Sequence, residues 1–186
     1  MESSAIVSDD SELLVLVDSN DEHVGYADKK SCHDGDGILH RAFSLFVFNG
    51  AGEVLMQKRA PQKRLWPGYW SNSCCSHPRE GEDLTDAVIR RSEQELGFKV
   101  TPSFLYKFEY QARFENQGSE HELCSVYFAQ YSGDVNVNRT EVQDWHWIAP
   151  QALDTALENE PNAYTPWFKL EWQRIRQEFS HAILTN

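Results

Sequence analysis

The chain has 186 residues, 40% of them hydrophobic and 12% aromatic, which is enough for one sizeable core and short for two. Lys and Arg number 17 against 29 Asp and Glu, a formal net charge of -12. That balance repels polyanions at long range and argues against nucleic acid or an anionic membrane as partner. A small anionic ligand survives the exclusion, because a local group of bases or a bound cation dominates within a Debye length of about 8 Å.

Met1 to Asp10 is rich in Ser and Asp and reads as a flexible acidic tail over residues 1–10, ahead of a single domain over 11–186. With no basic stretch leading into an apolar one, and no apolar run near the ~20 residues that span a bilayer, the expected location is the cytoplasm. Cys32, Cys74, Cys75 and Cys124 are too few for a disulfide framework and are expected as free thiols.

Leu13 to Val17, followed by the turn-forming Asp18-Ser19-Asn20-Asp21, predicts an opening hairpin with a polar continuation to Lys30. His40 to Asn49 is apolar on both faces, the pattern of a strand covered from two sides. Asn49-Gly50-Ala51-Gly52 turns it into a second strand, Glu53 to Lys58, and residues 61–81 have no clear period. A helix follows, capped by Asp83 or Thr85 and ended by Gly97, whose face Leu84, Val88, Arg91 and Glu95 passes from apolar to charged. Further strands are expected over Phe104 to Tyr110, Leu123 to Tyr131 and Val142 to Ile148. A helix is expected from Pro150 to Leu157, and another from near Pro161 or Thr165 to about Leu184, with Trp167, Leu170, Ile175 and Phe179 at helical spacing. This order gives an α/β class fold, more closely an α+β mixed sheet with helices on both faces.

The residues able to do chemistry gather around the irregular segments. His33 and His40 flank Asp34-Gly35-Asp36-Gly37, His77 follows Cys75 by two, and Glu120 and Glu122 project from one face of a strand while His121 points away. Three imidazoles and two carboxylates brought together would suit Mn, Zn, Fe or Mg. Equally, each could be an ordinary hydrogen-bonding or solvated residue, and that is the reading taken for His23, His121, His146 and His181. Cys75 could be a small buried apolar residue or a tuned thiol. The pairs Lys29-Lys30, Lys58-Arg59, Lys63-Arg64 and Arg90-Arg91 are either solvated surface or a diphosphate clamp.

Several stretches together resemble the type I isopentenyl-diphosphate delta-isomerases: His40 through Phe48, Gln57-Lys58-Arg59-Ala60, Trp66-Pro67-Gly68-Tyr69-Trp70, Ser71-Asn72-Ser73-Cys74-Cys75-Ser76-His77-Pro78, Asp86 to Arg91 with Glu95-Leu96-Gly97, Glu120-His121-Glu122 and Thr165-Pro166-Trp167. The likeness runs from about Leu13 to the terminal helix and implies a Nudix-like fold. Anchoring a Nudix box on Gly97 puts Ser76 at its opening glycine, Glu82 at its first acid, and Arg91 and Gln94 where two acids belong, so of the final acidic cluster only Glu95 remains. That loss argues against a diphosphate hydrolase, the alternative enzyme, which uses the cluster to hold metal ions and activate water.

The resemblance implies interconversion of isopentenyl and dimethylallyl diphosphate. It implies Cys75, Glu122 and Tyr110 as catalytic groups, with the thiol and the carboxylate on opposite sides of the substrate and Cys75 acting as a thiolate base. It implies His33, His40, His77, Glu120 and Glu122 as ligands of a divalent metal (Mn2+, Zn2+ or Mg2+), and Glu95 with the backbone carbonyl of Cys75 as the seat of a diphosphate-bound Mg2+. Lys29, Arg59, Lys63 and Arg91 would bind the diphosphate, and Trp167 would form an aromatic wall. The expected partner is this small-molecule substrate alone, without nucleic acid or membrane, and the expected state is a monomer, with a homodimer as alternative. A non-catalytic metal-binding or assembly module is a further reading of the His/Glu set, though it gives Cys75 and the bases no purpose.

Overall fold

His40–Phe48, strand β3, is the hub of a mixed sheet because both of its faces are apolar and both are covered. In the computed structural model, which describes residues 4–180, it runs antiparallel to β1 (Leu13–Val17), β4 (Val54–Arg59) and β6 (Cys74–Ser76), and parallel to β8 (Gly118–Gln130). The hairpin partner of β1 is β2 (His23–Asp28), and β4 also pairs with the short β5 (Trp70–Ser71) and with β9 (Val142–Ile148). The long hairpin of β7 (Ser103–Phe114) and β8 completes the sheet.

On one face Phe43, Leu45 and Val47 meet Ala87, Val88 and Leu96 of helix α2, Leu84–Leu96. Asp83 caps this helix by accepting from the Thr85 N–H, and Gly97 ends it in the left-handed conformation at φ 81°. A Cβ on Gly97 would also lie 2.6 Å from the Asn136 carbonyl oxygen, so glycine is required twice over. On the other face Phe46 and Phe48 pack with α3 (Pro150–Asn159) and α4 (Pro166–Arg174), so helices cover both faces as expected. Outside the sequence expectation lay the five-residue helix α1, Lys29–His33, the short strands β5 and β6 within the segment that showed no period, and a π-helical turn over Ile175–Phe179 that extends α4. His181 and Leu184 lie outside the described residues. Among the described residues no helix is long and apolar enough to cross a membrane.

The inner face of α4 differs from the expected one. Leu170 is 51% exposed, and the positions facing the core are Trp167, Phe168, Glu171, Trp172 and Ile175. Glu171 is fully buried; its Oε1 accepts from the Cys124 thiol at 3.6 Å, and its Oε2 has no hydrogen-bond partner among the described residues. Burial raises its pKa to about 8, opposed by contacts with Ser44 and Cys124. The folded state therefore keeps this proton through a pH range in which the unfolded chain has released it, so stability falls as pH rises from about 4.5 to 8. Glu171→Gln should remove that slope and leave the variant more stable at pH 8 by about 2–5 kcal/mol. Melting curves at pH 5 and pH 8 test this, and equal slopes for both proteins would contradict it.

Candidate active site

The site forms where β3, β6 and β8 present their charged ends on the α4 face. His40 pairs in register with Glu122 and Ser44 with Cys75. Because β6 and β8 flank β3, the thiol and the carboxylate enter from opposite sides of that strand. Strand alternation also separates the two adjacent cysteines. Cys74 is fully buried in the α2-side core, whereas Cys75 lines a cavity of about 250 Å³ together with Glu122, Tyr110 and Trp167.

His33, His40, His77, Glu120 and Glu122 come together with one ligand atom from each within 4.8 Å of the others. Nδ1 of His33 lies 2.6 Å from the Lys29 carbonyl and Nδ1 of His40 lies 2.7 Å from that of Ile38. A carbonyl can only accept, so in each neutral ring the proton sits on Nδ1 and the Nε2 lone pair faces the cluster, the orientation of a metal-ligating imidazole. His40 Nε2 meets His77 Nε2 at 3.2 Å, and His33 Nε2 lies 2.8 Å from Glu120 Oε2. That oxygen has no well-directed hydrogen bond despite being buried. Lone pairs facing one another in this way require a cation or an extra proton between them, so the donor set fits a metal ion.

The electrostatics agree. Burial and neighbouring His33 bring His40 down to about 4, and burial with His40 and His33 holds His77 well below the usual imidazole range, so both rings remain neutral donors. Burial alone would lower His33 too, but Glu120 beside it raises it. The same contact overcomes burial at Glu120 and brings it down to about 2, whereas burial and the Glu120 charge push Glu122 well up. Tyr110 donates to Glu122 Oε2 at 2.7 Å. Burial, only partly offset by Arg59, pushes the Cys75 thiol up to about 12.

Lys29, Arg59, Lys63 and Arg91 all line the same cavity. The Arg59 guanidinium bonds the carbonyls of Leu65 and Trp66 and lies 5.2 Å from the Trp167 ring centre, while Trp167 donates to Ser71 Oγ at 3.1 Å. Arg91 pairs with Glu95, whose other oxygen accepts from Gln57 at 3.3 Å; Glu95 thus stands behind Arg91. The remaining Nudix-helix positions face elsewhere, with Glu82 on Arg90 at 2.6 Å and Gln94 on Arg90 at 3.3 Å. The N-terminal segment crosses the mouth: Val7 and Ala5 carbonyls accept from Arg91 and Asn138, and Ser8 Oγ from Lys29.

Several residues build the site in ways the sequence did not show, Arg64 among them, which was read only as one of a basic pair. Arg64 bonds Asp34 and the carbonyls of Lys30 and Gln117, tying α1 to the β7–β8 turn. Gly118, at φ 144°, lies so close to the His33 carbonyl that any Cβ would overlap it. Glu141, 3% exposed, pairs with Lys63 and reaches Arg91 at 3.5 Å, yet it belongs to no motif. Among the other histidines, His121 bonds Glu109 at 3.0 Å on the outer face and His146 stacks edge-on against Trp70, both apart from the cluster.

The NUDIX domain pattern matches residues 38–168. A Deinococcus radiodurans protein of known crystal structure, DR0079, superposes with a TM-score of 0.71 over 88% of this chain and 98% of its own, at 21% identity. The chain is therefore a Nudix-fold protein. An isopentenyl-diphosphate Delta-isomerase 1 of Photorhabdus laumondii is 45% identical over 168 residues, covering 89% of this chain and 96% of that protein. The isopentenyl-diphosphate Delta-isomerase of Paenarthrobacter aurescens is 42% identical, covering 88% and 90%. Within the Nudix fold, this chain belongs to the isopentenyl-diphosphate Delta-isomerase family.

Proposed function

We propose that this site interconverts isopentenyl and dimethylallyl diphosphate. The observation that carries the reading is a single cavity lined by a thiol, a phenol-bonded carboxylate, an aromatic wall and four bases. Moving a terminal double bond by one position requires a proton delivered to one carbon and a proton removed from the neighbouring carbon, with tertiary cation character between. Glu122 with Tyr110 serves one step and Cys75 the other, and the two exchange roles in the reverse direction. The faces of Trp167 and the surrounding apolar wall stabilise the cation and exclude the water that would trap it.

Lys29, Arg59, Lys63 and Arg91 bind the diphosphate; a Mg2+ arriving with it would neutralise part of its charge, and Glu95, now paired with Arg91 and Gln57, and the Cys75 carbonyl are the groups that would hold it. His33, His40, His77, Glu120 and Glu122 would hold the second ion, Mn2+, Zn2+ or Mg2+, which would supply Lewis acidity beside Glu122. The protein works as a cytoplasmic monomer on this small substrate. Incubation of isopentenyl diphosphate with the protein and Mg2+ in deuterated water is the test. Dimethylallyl diphosphate carrying deuterium is expected; absence of both isomer and label would sink the reading, and phosphate release in their place would point to a hydrolase.

A further inference from the structure

Glu141 is a buried carboxylate within a site that has to receive an anion, a placement that disfavours the ligand unless the charge has a purpose. It stands just before β9, with its backbone fixed by Asn138 and Ala60, and its side chain pairs with Lys63 and approaches Arg91 at 3.5 Å. Arg91 is in turn paired with Glu95, and Lys29 has Lys63, Glu12, Arg91 and Glu141 as near charges. Of the four cations lining the cavity, Lys29, Lys63 and Arg91 thus share two buried carboxylates, Glu95 and Glu141, while Arg59 lies against Trp167. On the α2 helix two acids of the Nudix pattern are replaced, by Arg91 and Gln94, and Glu141 returns one negative charge to the site from a different element.

We propose that Glu141 makes diphosphate binding depend on a divalent cation. With Glu141 ionised, the cradle has too small a positive excess to hold a bare diphosphate, and a diphosphate already paired with Mg2+ restores the balance. Glu141 therefore acts as a specificity-determining residue that selects the metal–diphosphate pair as a unit. This rests on the diphosphate site proposed above.

The experiment is calorimetric titration of inorganic pyrophosphate into the full chain, with Mg2+ present and with Mg2+ omitted. The native protein is expected to bind at least about tenfold more tightly with Mg2+. Glu141→Gln should tighten Mg2+-free binding by roughly 10- to 100-fold, the effect of one unit charge removed from a partly buried site, and shrink the Mg2+ enhancement accordingly. Glu141→Asp, which keeps the charge, should retain the native pattern. Glu141→Gln binding no more tightly than native protein without Mg2+ would overturn the proposal. Should that variant fail to fold, Lys63→Gln is decisive: with one cation fewer and Glu141 kept, the Mg2+ enhancement must grow, and an unchanged ratio overturns the proposal. Pyrophosphate binding to no form of the protein would instead remove the diphosphate reading itself.

Discussion

Cys75→Ala is expected to reduce isomerisation by about 1,000-fold or more, while Cys74→Ala retains most of it. The two thiols are adjacent in sequence and opposite in environment. Cys75 lines the cavity opposite the β8 carboxylate, and Cys74 is sealed against Phe43, Leu45 and Val88 beneath α2. Loss of the Cys75 sulfur removes one of two proton-handling groups and leaves a small void at the cavity wall. Loss of the Cys74 sulfur leaves a void in a close-packed core, which lowers stability by about 1 kcal/mol and leaves the cavity lining intact. Conversion of isopentenyl diphosphate, followed together with thermal melting, separates these outcomes. Full turnover by Cys75→Ala would move the thiol's role to another residue.

The sequence showed no period over residues 61–81, and only the family resemblance singled out Cys75; the alternation of the three-residue strand Cys74–Ser76, which sends the two thiols to opposite faces, needed the structure. The same division holds elsewhere. The doubly apolar β3 and the capped and Gly-terminated α2 follow from local chemistry, and their expected bounds lie within a residue or two of those observed. Helix α1 has no apolar period in five residues; its Asp28 cap is local, but Arg64, which ties it down, comes from a distant segment that no window of sequence contains. On α4 a glutamate occupies an inward position beside Trp172, so hydrophobic spacing selected Leu170 in its stead. The convergence of His33, His40, His77, Glu120 and Glu122 was suggested by residue type, but their assembly depends on the parallel β3–β8 register. Glu141 had no motif to mark it, since its meaning comes only from Lys63 and Arg91 across the fold.

The bulk charge of -12 acquires a different meaning once the acids are placed. Glu120 and Glu122 are buried among three imidazoles, an arrangement that leaves two carboxylates repelling each other unless a cation lies between them. Chelator treatment is accordingly expected to abolish turnover and lower the melting temperature, and Mn2+ or Zn2+ to restore both, since an ion bound only by the folded chain stabilises it. His40→Ala removes a fully buried ring whose orientation is fixed by Ile38, and should weaken metal binding at least about 100-fold. His121→Ala is the matched control: it lies one residue from two of the same acids, but its ring faces Glu109 on the outer surface, so metal affinity should be unchanged. Equilibrium dialysis against Mn2+ reads both variants directly. Equal losses in the two would mean that the charge of the strand, and not the geometry of its inner face, holds the ion. Full turnover of chelated native protein would mean that the five converging side chains are a structural polar cluster satisfied by protons alone.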